Sequence, residues 1–340
     1  MPEIIATAPG RCGLIGNPTD MYGGNVVSCT TRERAECHLV TDVKAEPGSI
    51  SITNQDEHAV LFSCDDLKLC GDKLDIARAV LIFFAIDPAR SNFALHLYTK
   101  IPMRAGLAGS TAMLATMVGA FDAYLGLGLN RYALAETTRK IEARVMKVTC
   151  GLQDQHMTVF GGLNFMDFSR KQALEQKDDE PLVTVEPLSL WMGEELQHPP
   201  LLLAHTGVQH HSGTVHRSPR ERWLAGEQSF IDAYTEIAAL ARRGKRALVE
   251  QDWQLLGQLM NENHRIVAEL GGSGPHNERL IHAAREAGAL GAKLAGAGGG
   301  GTILALTHEP ERVGEALLAA GAERLLVPKP EPGLTVFQKP

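Results

Sequence analysis

The sequence predicts an α+β protein of two domains, and three observations lead there. Strand-like and helix-like segments are mixed without the regular βαβ alternation of a doubly wound sheet. The 340 residues, 44% of them apolar, exceed what one ordinary core needs. A polar stretch over residues 169–181, rich in Lys and Asp, separates a first domain (1–175) from a second (182–340).

The elements follow in order. Residues 3–8, 25–30, 35–42 and 59–63 carry β-branched or alternating patterns and are expected as strands. Residues 74–86 read as a helix and 93–100 as a strand. Two helices are expected at 110–126 and 131–148, parted by Gly126, Gly128 and Asn130. Gly161 and Gly162 open a strand that runs through Phe168. The second half predicts strands near 182–187 and 200–205, then helices at 215–243, 251–269 and 275–288. A strand, a glycine cluster, another strand, a helix at 309–320 and two short strands complete it.

Composition narrows the function. The formal net charge of −7, without a basic block, disfavours nucleic acid as a partner. Cys12, Cys29, Cys37, Cys64, Cys70 and Cys150 form no Cys-x-x-Cys pair, so neither a zinc site nor a redox motif is expected. Scattered thiols fit a reduced, cytoplasmic setting. Met1 to Thr7 lacks the features of a signal peptide, and no apolar run is long enough to span a membrane.

Four segments carry chemistry. The first is Pro102-Met103-Arg104-Ala105-Gly106-Leu107-Ala108-Gly109-Ser110-Thr111-Ala112, where a strand meets a helix N-terminus. Free N–H groups and the helix dipole favour an anion there. Ser110 and Thr111 are placed either to cap the helix or to ligate a metal that accompanies phosphate. The Gly-Lys-Ser/Thr of a Walker loop and the protein-kinase catalytic signatures are both absent. The second is Gly296 to Gly301, including Gly298 and Gly299. It matches G-x-G-x-x-G formally, but a strand follows where a dinucleotide site needs a helix. Five glycines in six residues exceed a turn's needs and point to close backbone approach to a ligand.

The third segment, Ala8 to Gly24, gathers Arg11, Asn17, Asp20 and Tyr22 among turn residues. Asn and Asp together can hold vicinal hydroxyls, or can bond their own backbone. Arg11 can offset phosphoryl charge. The fourth runs from Cys150 to His156, after the helix that carries Glu142. Glu142 is either a surface partner of Arg139 or a magnesium ligand; Asp154 is either a helix cap or a base. His205, His210, His211 and His216 lack carboxylate or thiol neighbours, so polar contact by His211 or Ser212 fits better than a metal site.

Taken in order, Ala-Pro-Gly-Arg, Pro-x₃-Gly-Leu-x-Gly-Ser-Thr-Ala and the late glycine loop resemble the GHMP kinases over nearly the whole chain. That family includes galactokinase, homoserine kinase, mevalonate kinase and phosphomevalonate kinase. The resemblance implies an N-terminal domain like ribosomal protein S5 domain 2 and a ferredoxin-like C-terminal domain. It implies ATP and Mg2+ as cofactors. Pro102 and Gly106, Leu107, Ala108, Gly109, Ser110, Thr111 and Ala112 would wrap the triphosphate, and Thr111 and Glu142 would hold magnesium. Asp154 and Arg11 would be catalytic. Asn17, Asp20, Tyr22, His211, Ser212, Gly298 and Gly299 would read the substrate.

The phosphate loop is one residue longer than the usual Gly-Leu-Gly-Ser-Ser-Ala. Within the family it is similar to that of the glucuronokinases, as are Gly16 to Asp20, Gly151 to Asp154 and His211-Ser212-Gly213. Gln155 stands where the plant glucuronokinases carry arginine, and Gly291 to Gly301 looks more like bacterial heptose-phosphate kinases. The resemblance therefore implies phosphorylation of a hexuronate at the anomeric hydroxyl, with heptose-7-phosphate kinase as the alternative within the family. A non-catalytic, galactokinase-like sugar sensor and a diphosphomevalonate-type decarboxylase are the rivals that are not kinases. Arg104, Arg220 and Arg222 are the candidate anchors for a substrate carboxylate. The expected partner is a small sugar or sugar acid, with no nucleic acid or membrane, and the chain is expected as a monomer or homodimer.

Overall fold

The computed structural model describes residues 3–41, 48–169, 183–188, 198–208, 217–296, 298 and 301–339. Two sheets organise the chain. The larger has the order β12-β1-β2-β5-β3-β4, formed by β1 (Glu3–Ile15), β2 (Asn25–Thr41), β3 (Ser49–Asn54), β4 (Glu57–Leu61), β5 (Asn92–Thr99) and β12 (Thr335–Lys339). β6 (Leu163–Asp167) pairs with the first part of β2, and β7 (Thr184–Pro187) pairs with β6. All of these pairings are antiparallel except β3 with β5. The two strands expected at 25–30 and 35–42 are one strand. Its early residues pair with β6 and its later ones with β5, so a single backbone serves two neighbours in turn.

The second sheet is antiparallel in the order β11-β8-β10-β9, from β8 (Leu201–His205), β9 (Gly291–Leu294), β10 (Thr302–Leu306) and β11 (Arg324–Leu326). It has its own small core, where Leu202, Ile303, Ile281, Val313 and Leu317 meet. The last strand, β12, returns to the first sheet and pairs with β1 from Glu3↔Lys339 to Thr7↔Thr335. Residues 184–187 and 335–339 therefore extend the first sheet, although both follow the 169–181 segment.

The helices are α1 (Asp75–Phe83), α2 (Gly109–Leu125), α3 (Arg131–Lys140), α4 (Gln153–Phe160), α5 (Arg217–Leu224), α6 (Gln228–Val249), α7 (Trp253–Glu269), α8 (Pro275–Glu286) and α9 (Pro310–Ala319). α2 is buried along most of its length, from Thr111 to Phe121, because it is apolar on all faces. It lies on β1 and β2, with α1, α3 and α4 around it. Burying Phe121 alone stabilises the fold by roughly 2–3 kcal/mol. α6 packs on β1 and β2, whereas α7 bridges β9 and β1. The helix expected over 215–243 divides, within its described residues, at Ala225-Gly226-Glu227, where Gly226 adopts a left-handed backbone.

Helix 131–148 also departs from expectation. The α-helix stops at Lys140, and Ile141–Val145 forms one π turn. Such turns are frequent at functional sites, and within this one Glu142 is buried.

Candidate active site

A cavity of about 920 Å³ opens at the N-terminus of α2. Its wall includes Gly106, Ala108, Gly109, Ser110 and Thr111 from the phosphate loop, Glu142 from the π turn, Asp154 from α4, and Arg11 and Asp20 from the first segment. Ala108 caps α2 in a left-handed conformation, so neither Ser110 nor Thr111 caps it. Both hydroxyls sit in the first helical turn, where backbone N–H groups have no intrahelical acceptor. Leu107 and Ala112 are buried in the core instead, and Pro102 lies outside the cavity wall.

Thr111 and Glu142 meet on this wall. The threonine Oγ1 donates at 3.3 Å to each carboxylate oxygen, and Gln155 Nε2 donates to Glu142 Oε2 at 2.7 Å. Burial pushes the Glu142 carboxyl up to about 7, more than the Gln155 hydrogen bond pulls it down. A buried carboxylate beside a hydroxyl is an oxygen donor set suited to a hard cation such as Mg2+. Glu142 is buried rather than on the surface, and the charge of Arg139 lowers its carboxyl as a lesser influence.

Arg11 and Asp154 form the second pair. Arg11 Nε and Nη2 reach Asp154 Oδ1 at 2.7 and 2.6 Å, which leaves Oδ2 without a partner among the described residues. Arg11 Nη1 also donates to the Gly106 carbonyl at 2.7 Å, tying the loop before α2 to the Asp154 side of the cavity. The guanidinium is almost fully buried, whereas the Asp154 side chain keeps 26% of its exposure. Asp154 stands in the first turn of α4, a helix that the sequence did not suggest beyond a possible cap.

The actual cap comes from Asp20. Its Oδ2 accepts from the N–H groups of Leu152 (2.6 Å) and Gln153 (3.0 Å), so this carboxylate aims α4 and with it Asp154. Asn17 lies away from the cavity. Its Nδ2 donates to the Gly296 carbonyl and its Oδ1 accepts from Lys293 Nζ at 2.7 Å. Tyr22 stacks among Trp223, Phe230 and Tyr234, and its buried hydroxyl has no partner among the described residues.

The second glycine cluster approaches backbone. A Cβ on Gly296 would stand 2.7 Å from the Gly106 carbonyl oxygen, and one on Gly298 would stand 1.8 Å from that of Gly272. Neither glycine lines the cavity; the glycines let two loops touch. Among the described residues, then, close approach to a ligand is replaced by close approach to the phosphate loop and to Gly272. Gly299, His211 and Ser212, with His210 and His216, lie outside the described residues. His205 is buried in β8 and bonded to the Gly301 carbonyl at 2.9 Å.

Lys293 was not anticipated. It is fully buried on β9, with Asn17 Oδ1 and the carbonyls of Gly13 and Leu294 around Nζ. The three acceptors favour the ammonium, but burial dominates and pushes it down to about 7. The signal was a lone charge inside Gly-Ala-Lys-Leu-Ala-Gly, a segment otherwise fit for a buried strand.

A glycine loop at a helix N-terminus, a buried Thr111–Glu142 pair and an arginine-held aspartate on one cavity fit a phosphotransferase with an alcohol acceptor. The family comparisons give the same class. The model described as GHMP kinases N terminal domain matches residues 75–162, and GHMP kinases C terminal matches residues 245–324. Probable glucuronokinase 2 of Arabidopsis thaliana is 30% identical over 318 residues, covering 85% of this chain and 81% of the relative. A D-glycero-alpha-D-manno-heptose 7-phosphate kinase of Campylobacter jejuni is 28% identical over 315 residues, 88% of each chain. Mevalonate kinase of Pyrococcus abyssi is 26% identical over 351 residues, 99% of this chain and 98% of the other. Among solved structures, Lactococcus lactis galactokinase superposes with a TM-score of 0.78 at 18% identity, over 98% of this chain and 95% of that one. A D-glycero-D-manno-heptose 1-phosphate kinase from Bacteroides thetaiotaomicron gives 0.75 at 23% identity, over 99% of both. The chain belongs to the GHMP kinase family, whose members are ATP-using kinases. No helix among the described residues is long and apolar enough to cross a membrane.

Proposed function

We propose that this protein transfers the γ-phosphoryl group of ATP to a sugar hydroxyl, and that the sugar is a hexuronate phosphorylated at its anomeric oxygen. The observation that carries the chemistry is the meeting of two pairs, Thr111–Glu142 and Arg11–Asp154, on one cavity at the α2 N-terminus. The N–H groups of the first α2 turn bind the phosphates and stabilise charge that develops during transfer. Thr111 and Glu142 would hold Mg2+, which when bound neutralises phosphate charge. Asp154 Oδ2 accepts a hydrogen bond from the acceptor hydroxyl, and Arg11 fixes the carboxylate while it does so. In a loose transition state the base need only orient that hydroxyl and take its proton late.

The hexuronate rests on the lengthened Gly-Leu-Ala-Gly-Ser-Thr-Ala loop and on the likeness to the Arabidopsis glucuronokinase. Its carboxylate needs a cation. Arg222 is taken by Glu227 and by the Leu270 carbonyl. Arg220 is exposed and has no ion pair among the described residues, yet it acts electrostatically on Tyr22, so it is the remaining anchor at that end. The second reading is a heptose 7-phosphate acceptor, favoured by the Campylobacter relative that aligns over 88% of this chain. ADP release with ATP and a panel of free sugars, uronic acids and sugar phosphates separates them. Turnover on glucuronate or galacturonate is the expected result, and turnover on a heptose phosphate alone sinks the uronate reading.

A further inference from the structure

Six non-glycine residues hold a left-handed backbone among the described residues, and four of them, Gln55, Arg104, Ala108 and Lys147, line the active-site cavity. Left-handed conformations are unfavourable for such residues and persist where the surroundings enforce them, commonly at functional sites. Two of the four are cations.

Arg104 is followed by two bonded residues, and Lys147 is bonded on either side. Ala105, next to Arg104, gives its carbonyl to Thr302 Oγ1 at 2.9 Å, and Gly106 gives its own to Arg11. Lys147 stands between Met146 and Val148, whose N–H groups donate to the carbonyls of Ile141 and Glu142. The backbone of Lys147 is thus indexed to Glu142, and that of Arg104 to the phosphate loop.

The cavity wall carries four cations, and their bonding divides them. Arg11 is committed to Asp154 and Lys73 to Asp56. Arg104 and Lys147 are exposed and make neither an ion pair nor a side-chain hydrogen bond with any described residue. They flank the Thr111–Glu142 pair along the chain, one five residues before the N-terminal turn of α2 and one five residues after Glu142. Neither belongs to the Tyr22–Trp223 end.

We propose that Arg104 and Lys147 form a two-sided clamp on the terminal phosphates of the nucleotide, closing from opposite loops over the position flanked by Thr111 and Glu142. This rests on the phosphotransfer reading above. It assigns Arg104 to ATP rather than to a substrate carboxylate.

Calorimetric titration of the full chain with Mg-ATP and with AMP, without sugar, tests it. Arg104→Met and Lys147→Met should each weaken ATP binding roughly tenfold, as expected for loss of one charge-assisted contact. AMP binding and the KM for the sugar should not move. Arg104→Lys should recover part of the loss, and Arg90→Met, on a distant exposed turn, should cost nothing. Lys147→Gly separates charge from fold, because glycine accepts the left-handed backbone; it should melt no lower than wild type and still lose ATP affinity. Unchanged ATP affinity in both methionine variants, or a rise confined to the KM of an anionic sugar, overturns the clamp. A wild-type chain that binds no ATP overturns the phosphotransfer reading first.

Discussion

Asp154 and Glu142 are both carboxylates on one cavity, and their surroundings give them different work. Asp154 is partly open and shares one oxygen with Arg11, so it stays available as a hydrogen-bond acceptor. Asp154→Asn should leave ATP binding within about twofold and cut kcat by roughly 10²–10⁴, the range of a lost general base. Near-normal turnover would remove Asp154 from the reaction. Glu142 is buried, and its folded pKa of about 7 lies above the ordinary 4.5. Between those values the native state holds a proton that the unfolded chain has released, so stability falls as pH rises through that window. Above pH 7 the full cost is present, on the order of 3 kcal/mol. Metal-free Glu142→Gln should therefore match wild type near pH 4.5 and gain stability by pH 8, measured by urea unfolding. An equal gain at both pH values contradicts this account.

Legibility at this scale followed the range of each interaction. Gly106 to Thr111, Arg11 and Glu142 could be singled out because loop, charge and carboxylate chemistry is written locally. Asn17 and Asp20 could not be sorted, because their side-chain partners lie 276 and 132 residues away at Lys293 and Leu152. From spacing alone a cap and a ligand are the same residue type.

Among the elements, α2 and the two glycine loops act as one unit. Gly296 presses on Gly106, whose carbonyl Arg11 holds. Gly296→Ala puts a methyl 2.7 Å from that oxygen, so one loop must shift. Such a shift moves the N–H cradle, and displacement of about 1 Å is enough to cost around 10²-fold in rate. The expected outcome is a kcat/KM for ATP lowered by that order with a near-native circular dichroism spectrum. Wild-type kinetics would show that the loops are not coupled. The glycine richness was visible in the sequence, but what the glycines approach was not. The π turn was hidden as well: residues 131–148 read as one helix, because insertion of one extra residue per turn leaves no mark on composition.

In the whole molecule, the first sheet is closed by strands distant in sequence. β12 covers the edge of β1 in five-residue register, and Leu334 and Val336 lie close to Gly119 of α2. Removing residues 334–340 should expose that edge and lower Tm by several degrees, since even 1–2 kcal/mol is a large share of folding stability. An unchanged melting curve would show β12 to be dispensable. The α+β class was legible from the mixed order of strand-like and helix-like segments, and the loop before α2 from its glycines and hydroxyls. The return of β12 was not, because pairing across more than 300 residues has no local signature.

Lys293 has a use as a gauge. Burial pushes its ammonium down to about 7, and the amine that an acylating reagent would attack is sealed where β9 meets Gly13 of β1. Its acylation rate is therefore set by how often that seam opens. Mass-spectrometric footprinting of this one side chain would clock the parting of the two sheets, with no engineered label and no substrate present.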